Sequence, residues 1–368
     1  MLAYLLRRLI LVVPTLLGIM VLNFFIIQVA PGGPVEQILA KIQGQTQDTA
    51  SKLTGGGNEV ATNNAAAAAS GGQAGTYRGA RGIDPAIIDR FTKYYGFDKP
   101  IYERFFIMLK KYATFDFGKS FYRDISVVDL VVEKMPVSIS IGLWTTLITY
   151  LISIPLGIAK AVRDGSRFDS GSTTIVIVGS AIPSFLFAIL LIIIFAGGHY
   201  LNWFPLRGLV SDNWHDLSWP ARIADYFSHM ALPLIAMSAG SFAGLTLWTK
   251  NSFLEQINQQ YVLTARAKGL TETRILYGHV FRNAMLLVIG GFPAALIGIL
   301  FGGALLIEII FSLDGLGLLS YDALLRRDYP VLFANLYVFG LIGLVVNIIG
   351  DFTYTLVDPR LDFDKRDV

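Results

Sequence analysis

The 368 residues contain no cysteine, so neither a disulfide brace nor a thiolate metal site can form. Charge is scarce as well: Asp, Glu, Lys and Arg make up 15% of the chain, against about 25% in an ordinary soluble domain. Together with 54% hydrophobic residues and a mean hydropathy of +0.55, that scarcity excludes a soluble globular protein. The same figures exclude a disordered chain, which would be rich in charge and poor in apolar residues. A net charge of +3 is too small to argue for a nucleic-acid partner. Histidine is rare, and His199, His215, His229 and His279 lie in or beside loops without metal-ligand spacing. No His-Glu-x-x-His occurs, which removes the commonest zinc-protease signature.

What the chain has instead is long apolar runs. Six stretches reach the roughly 20 residues needed to cross a bilayer, at about 9–29, 136–159, 172–196, 230–249, 284–307 and 331–356. They predict an all-α membrane protein with six transmembrane helices. The first follows Arg7 and Arg8 like a signal peptide, but its apolar run is longer than a signal core, so residues 1–30 read as a retained anchor. Orientation follows from Lys and Arg in short loops. Arg7, Arg8, Lys160, Arg163, Arg167, Lys250, Arg266, Lys268, Arg274, Arg282, Arg360, Lys365 and Arg366 fall on one side; Arg207, Arg222, Arg326 and Arg327 fall in the short loops of the other. Both termini are therefore expected in the cytoplasm, with 361–368 as a cytoplasmic tail, 135–360 as the main membrane domain and 31–134 as one long outer region.

That outer region has two textures. From 44 to 82 it is Gly, Ala, Asn, Gln and Thr, including Gly55-Gly56-Gly57 and the run Ala65 to Ala69, and reads as a flexible insertion. At Asp84-Pro85 a helix start appears, and Gly96 stops it. A second amphipathic piece runs from Pro100 to about Tyr112, with Ile101, Phe105, Met108 and Tyr112 at helical spacing. Both pieces are expected on the outer membrane surface or against the helix bundle.

The cores of the six spans hold no titratable group, which removes the usual footing for ion coupling. Glu308 at the outer end of the fifth and Asp351 near the inner end of the sixth read either as helix-end polar residues or as coupling groups. Ser238-Ala239-Gly240-Ser241 reads as a site of close helix packing rather than a protease. Gly118-Lys119-Ser120 ends like a phosphate loop, but Ala113 stands where its first Gly belongs. Asp116-Phe117-Gly118 is a kinase-like triplet without other kinase elements. Neither supports nucleotide binding, and no cofactor is expected on this chain. Pro155, Pro183, Pro233 and Pro293, with Gly298 and Gly302 four apart, predict a kinked bundle suited to a translocation path.

The most informative segment lies between the fourth and fifth spans. Within 252–268, Phe253, Ile257, Tyr261 and Ala265 continue at i, i+4, and Ala267-Lys268-Gly269 ends the helix. Thr271 offers an N-cap and Glu272 suits the start of the next helix, whose stripe is Ile275, Leu276, Val280 and Phe281. Helix, glycine, helix makes a rigid elbow whose small tip can enter a partner's groove, unless it is simply an interfacial helix pair.

The string Tyr261-Val262-Leu263-Thr264-Ala265-Arg266-Ala267-Lys268-Gly269-Leu270, followed by His279-Val280-Phe281-Arg282-Asn283-Ala284, resembles the cytoplasmic coupling loop of ABC importer permeases of the dipeptide and oligopeptide branch. The family pattern is Glu-Ala-Ala, three residues, Gly, then nine residues to Ile-x-Leu-Pro. Here Leu263 takes the Glu position, Thr264-Ala265 the Ala pair and Arg282 the final Pro, departures similar to those of the peptide branch. Further matches are Tyr4-Leu5-Leu6-Arg7-Arg8-Leu9, Tyr95-Gly96-Phe97-Asp98-Lys99-Pro100, Phe117-Gly118-Lys119-Ser120 and Trp203-Phe204-Pro205. Later come Phe311-Ser312-Leu313-Asp314-Gly315-Leu316-Gly317, Arg327-Asp328-Tyr329-Pro330 and Asp358-Pro359-Arg360. The low-complexity insertion resembles the Yej-type subgroup, associated with uptake of peptides and microcin C.

The resemblance implies the type I ABC importer permease fold, in the bacterial inner membrane. It implies a second, related permease as heterodimer partner, ATP-binding-cassette ATPase domains carrying ATP and magnesium, a periplasmic peptide-binding protein and a peptide substrate. It implies alternating access, with Leu263, Thr264, Ala265, Arg266, Ala267, Lys268, Gly269 and Leu270 docking the ATPase within a coupling loop 252–283. Arg266 and Lys268 would pair with acidic groups on the ATPase or with anionic lipid. Gly298 and Gly302 are expected on the path. Glu308 and Asp314 are expected at the outer mouth, Asp314 otherwise serving the turn at Gly315. The alternative is a secondary transporter or channel working without an ATPase.

Overall fold

The computed structural model describes residues 2–29, 99–120, 122–123, 125–198, 200–298 and 305–357. The insertion 44–82, Asp84-Pro85, Gly96, Gly302 and the tail 361–368 lie outside these residues. Among them the secondary structure is helical, with one isolated bridge between Lys119 and Ser126.

In chain order the helices are α1 (Leu2–Val29), α2 (Ile101–Ala113), α3 (Val127–Val162), α4 (Arg167–Ala181), α5 (Ser184–Phe195) and α6 (Trp219–Ile257). They continue with α7 (Gln260–Ala267), α8 (Glu272–Ile275), α9 (Phe281–Gly290), α10 (Phe292–Gly298), α11 (Leu305–Ile310), α12 (Leu316–Leu325) and α13 (Tyr329–Val357). Among the described residues, five continuous segments are long and apolar enough to cross a membrane: Arg8–Ile26, Val127–Val162, Trp219–Ile257, Glu272–Gly298 and Tyr329–Thr353. The third expected span, 172–196, is the pair α4 and α5, bent by 91°. Pro183 causes the bend: it cannot donate a backbone bond, and Ile182 before it is extended at ψ 120°.

The chain divides into two compact units. The larger comprises Met1–Val13, Glu133–Leu318 and Phe339–Val368. Its hub is α6, with α4, α5 and α9 packed along it. Ser218 stands at the N-cap of that helix without a capping bond, and Pro220 sits in its first turn, where a missing N–H costs no helical bond. One apolar cluster gathers Ile141, Ala188, Met230, Ala236, Ile307 and Leu313; a second gathers Ile158, Phe253, Val262, Ile275, Val280 and Val288. The smaller unit comprises Pro14–Val132 and Leu319–Val338. In it α2 presents Glu103 in its first turn and Lys110 and Lys111 in its last, matching the helix dipole. Tyr112, Phe117 and Tyr337 meet edge to face or tilted at 4.9 to 5.6 Å. Burial among these rings pushes the Tyr112 phenol up.

Four helix ends share one closing geometry. At Phe115, Ser312 and Arg327 a non-glycine residue adopts positive φ (57°, 51° and 54°), and at Gly269 φ is 78°. In each, the next residue's N–H donates back across the turn: Asp116 to Lys111, Leu313 to Glu308, Asp328 to Ala323 and Leu270 to Ala265. These are Schellman closures, which satisfy the last carbonyls of the helix.

Candidate functional site

The elbow forms as expected in outline and differs in one joint. The apolar stripe through Phe253, Ile257, Tyr261 and Ala265 predicts one continuous helix, but α6 ends at Ile257 and α7 begins anew at Gln260. Asn258 Nδ2 donates to the Leu254 carbonyl at 3.0 Å, capping α6 with a side chain, and Gln259 is extended at ψ 153°. An i, i+4 stripe survives such a break because both halves bury the same side.

α7 then closes at Gly269. Its N–H donates to Arg266 O at 2.9 Å and the Leu270 N–H to Ala265 O at 3.3 Å. No atom lies within 4 Å of a Cβ built on Gly269, so the glycine serves the backbone conformation rather than a tight contact. Thr271 stands at the N-cap position of α8, but its side chain makes no capping bond. Arg266 reaches across the turn instead, donating from Nε and Nη2 to the Glu272 carboxylate at 2.8 and 3.0 Å. That forked pair raises the Arg266 pKa and braces the elbow within this chain. Val262 and Ala265 are buried in the bundle, whereas Leu263, Thr264, Ala267, Lys268 and Gly269 are exposed and Leu270 is half-buried.

Beyond the elbow lies an unforeseen feature. Residues Leu276–Val280 form a π turn, marked by the Phe281 N–H donating to Leu276 O. It joins α8 to α9, within the segment Glu272–Gly298.

A buried charge network ties three helices near the same end of the larger unit. Lys160 on α3 has no exposed surface; its Nζ donates to Asp169 O and Ser172 Oγ, both at 2.9 Å, and lies 3.2 Å from Asp169 Oδ1. Lys250 on α6 pairs with Asp169 Oδ2 at 2.7 Å and Asp164 Oδ1 at 2.8 Å. Ser166 caps α4 by accepting from the Asp169 N–H, and Asp169 accepts in turn from the Gly165 N–H. Lys160 and Lys250 count in the sequence only as loop cations; the one local signal of a site was Asp164-Gly165-Ser166 before Asp169.

Glu308 is fully buried in the larger unit. Its carboxylate accepts from Ser138 Oγ at 3.1 Å and the Leu318 N–H at 2.7 Å, while Ser138 Oγ accepts the Leu316 N–H at 2.8 Å. Gly315 and Gly317 are where a Cβ would run into that carboxylate. Asp314 sits outside this nest, with its carboxylate 2.5 Å from Lys134 Nζ and about half exposed. Asp351 pairs with Arg8 at 2.6 Å.

Gly298 lines a cavity of about 310 Å³, whose wall includes Thr146, Thr149, Tyr150, Ser241, Trp248 and Gly291. A Cβ on Gly298 would meet nothing, so this glycine borders open space and not a close helix contact. Gly157 makes the close approach instead: a Cβ there would fall 2.6 Å from Thr249 Cβ. The sequence motifs of the smaller unit also find their reason. Ser120 Oγ donates to Asp328 Oδ2 at 2.5 Å and accepts from the Arg123 N–H at 3.0 Å, so Phe117-Gly118-Lys119-Ser120 and Arg327-Asp328-Tyr329-Pro330 form one structural knot.

Residues 153–363 match the model of the binding-protein-dependent transport system inner membrane component. The chain belongs to this family. The peptidoglycan transport system permease protein YejB of Agrobacterium fabrum is 56% identical over 369 aligned residues, covering 100% of both chains. The inner membrane ABC transporter permease protein YejB of Escherichia coli O157:H7 is 57% identical over 99% of this chain and 100% of its own. The oligopeptide transport system permease protein AppB of Bacillus subtilis is 32% identical over 99% and 100%. With its apolar helices, the chain is a multi-pass inner-membrane permease subunit of the ABC importer class.

Proposed function

We propose that this permease carries peptides across the inner membrane inward by alternating access, driven by partner ATPases docked on the elbow at Leu263, Thr264, Arg266, Ala267, Lys268, Gly269 and Leu270, with Ala265 anchoring that surface from behind. The observation that carries the reading is the division of labour in α7. One side, Val262 and Ala265, is anchored among Ile158, Phe253, Ile275 and Val280, while the other side and the glycine tip are bare. A push on the bare side therefore reaches α3, α6 and α9 together, as a rigid-body motion requires. Lys268 faces out for an acidic partner, and Arg266 acts as the brace of the turn.

The substrate class rests on the relatives, named for oligopeptide and peptidoglycan transport. What those cargoes share is a peptide portion, and peptide conjugates such as microcin C belong to the same chemistry. A related permease would complete the path as heterodimer partner, and a periplasmic binding protein would deliver the cargo. Both termini face the cytoplasm in this reading, since the elbow must meet a cytoplasmic ATPase. Gly298 and Gly302 belong to the path. Glu308 serves the outer end by fixing the loop that carries Asp314, whose half-exposed carboxylate is held there by Lys134.

The test is co-purification in mild detergent followed by ATPase assays with added peptide. Recovery of a second permease and an ATPase, with hydrolysis stimulated by peptide, supports the reading. Proline cannot adopt the φ of 78° held by Gly269, so Gly269→Pro is expected to abolish assembly or peptide-stimulated hydrolysis. Unchanged assembly and stimulation in that variant would refute the coupling role, and a lone homo-oligomer would refute the ATP-driven reading.

A further inference from the structure

Among the described residues, the cavity beside Gly298 differs from the other polar regions of the larger unit in carrying no carboxylate, ammonium or guanidinium on its wall. Its polar side-chain groups are hydroxyls and the indole N–H of Trp248. Thr146 Oγ1 donates to Gly142 O at 2.7 Å and Ser241 Oγ to Met237 O at 3.4 Å. Thr149 is 4% exposed and its Oγ1 has no partner among the described residues. Thr149 Oγ1 is itself sealed by packing, so the half-buried Ser241, whose bond to Met237 O is long, is the hydroxyl on the wall left to meet a hydrogen-bonding guest.

One wall of the cavity is also a break. Between α9 and α10 the Gly291 N–H turns back to Val288 O at 3.2 Å, and Pro293 has no N–H to offer the carbonyl four residues earlier. Trp248, half exposed, packs on the glycine at that break. A Cβ added to Gly291 would come within 2.7 Å of Trp248 Cζ3 and 3.3 Å of its Cη2. On the other side of the break, Phe292 meets Tyr150 edge to face at 5.4 Å, and Tyr150 is itself part of the wall. Any bend at Gly291 must therefore move or release the indole.

We infer that this cavity is the stretch of transport path supplied by this chain, that it holds an uncharged hydrogen-bonding segment of the cargo such as peptide backbone, and that Trp248, seated on Gly291, is its gate. The inference rests on the peptide-import reading above and adds to it a gating residue, a hinge and a chemistry for the wall. Neutral hydroxyls suit cargo of varied sequence, because every peptide bond offers the same donor and acceptor whatever its side chains.

The absence of native cysteine permits a direct test. Ser241→Cys in the assembled transporter, reconstituted in vesicles, is treated with a water-soluble methanethiosulfonate reagent without nucleotide and after trapping with ATP and vanadate. The labelling rate is expected to differ at least tenfold between the two states. Trp248→Ala should remove most of that difference, Trp248→Phe should keep it, and Gly291→Ala, by displacing the ring, should reduce it. Equal rates in both states without any gate substitution overturn the gate, as does a full difference surviving Trp248→Ala. If Trp248→Ala does not assemble, the comparison of Trp248→Phe with Gly291→Ala decides, equal behaviour overturning the gate. Trialanine, at concentrations that stimulate ATP hydrolysis, should slow labelling; no slowing overturns the assigned occupant. No labelling in either state means that a partner's side chain fills the cavity and also overturns it. Failure of the peptide reading is separate: trialanine then leaves ATP hydrolysis unstimulated, while the nucleotide comparison still tests the gate.

Discussion

Gly315→Ala is expected to unseat Glu308. The new methyl carbon would lie 2.5 Å from Glu308 Cδ and 2.8 Å from Oε2, against a carboxylate already fixed by Ser138 Oγ and the Leu318 N–H. Gly315 is not in the positive-φ region, so the whole effect is steric. Forcing a methyl into a filled site costs about 1–3 kcal/mol. Displacing the carboxylate from a donor costs about 1.5–3 kcal/mol more, which places the total at roughly 2.5–6 kcal/mol. Gly269→Ala is the matched control: its Cβ meets nothing within 4 Å, and only the left-handed backbone, at about 1–2 kcal/mol, opposes it. Thermal unfolding of the detergent-purified complex should rank Gly315→Ala well below Gly269→Ala. A double-mutant cycle sharpens the point, because in a Glu308→Ala background the clashing atoms are gone and Gly315→Ala should cost little. Additive effects of the two substitutions, or a Gly315→Ala variant as stable as Gly269→Ala, would refute the proposed nest.

Asp169→Ala removes the acid shared by Lys160 and Lys250 and leaves a fully buried ammonium without its counter-ion, with an expected loss on the order of 3 kcal/mol in chemical or thermal unfolding; stability equal to the parent would contradict the network. Ser312→Gly relieves a left-handed serine whose side chain is exposed, and a gain of roughly 0.5–1 kcal/mol is expected, read as a raised melting temperature. Ser70→Cys, introduced into the otherwise thiol-free chain, should be labelled by an impermeant maleimide only from the periplasmic side; labelling only from the cytoplasm inverts the orientation.

The parts of the fold visible in the sequence were those written in local code. Apolar length marked the spans, and Gly269 marked the end of α7 because left-handed closure is a property of a few consecutive residues. The joint at Asn258 escaped because hydrophobic periodicity ignores a side-chain cap that changes direction without changing the buried side. Glu308 was legible as a polar residue at a helix end, but its partner Ser138 lies 170 positions away and no spacing rule connects them. The same holds for Lys160, Asp169 and Lys250: cations that read as loop charges are drawn into a network by tertiary packing. Family resemblance pointed to the string from Phe311 to Gly317 without a reason for it. The reason is the room that Gly315 and Gly317 leave for one carboxylate.

The π turn at Leu276–Val280 sets a rule for anyone exchanging parts between related permeases. An α-helix advances by about 100° per residue, and a π turn absorbs a residue that a plain helix would not hold. Removing that residue from the π turn would leave a plain helix with its two sides still in phase, whereas a one-residue deletion in the regular helix beside it would rotate everything on the far side by about that angle. Ile275 would leave the apolar cluster, and the bare side of α7 would aim elsewhere. Compatibility between a transplanted elbow and its host span is thus a question of angular phase, and a chimera spliced in register by sequence but out of phase by one residue would fold its helices and misdirect its docking side.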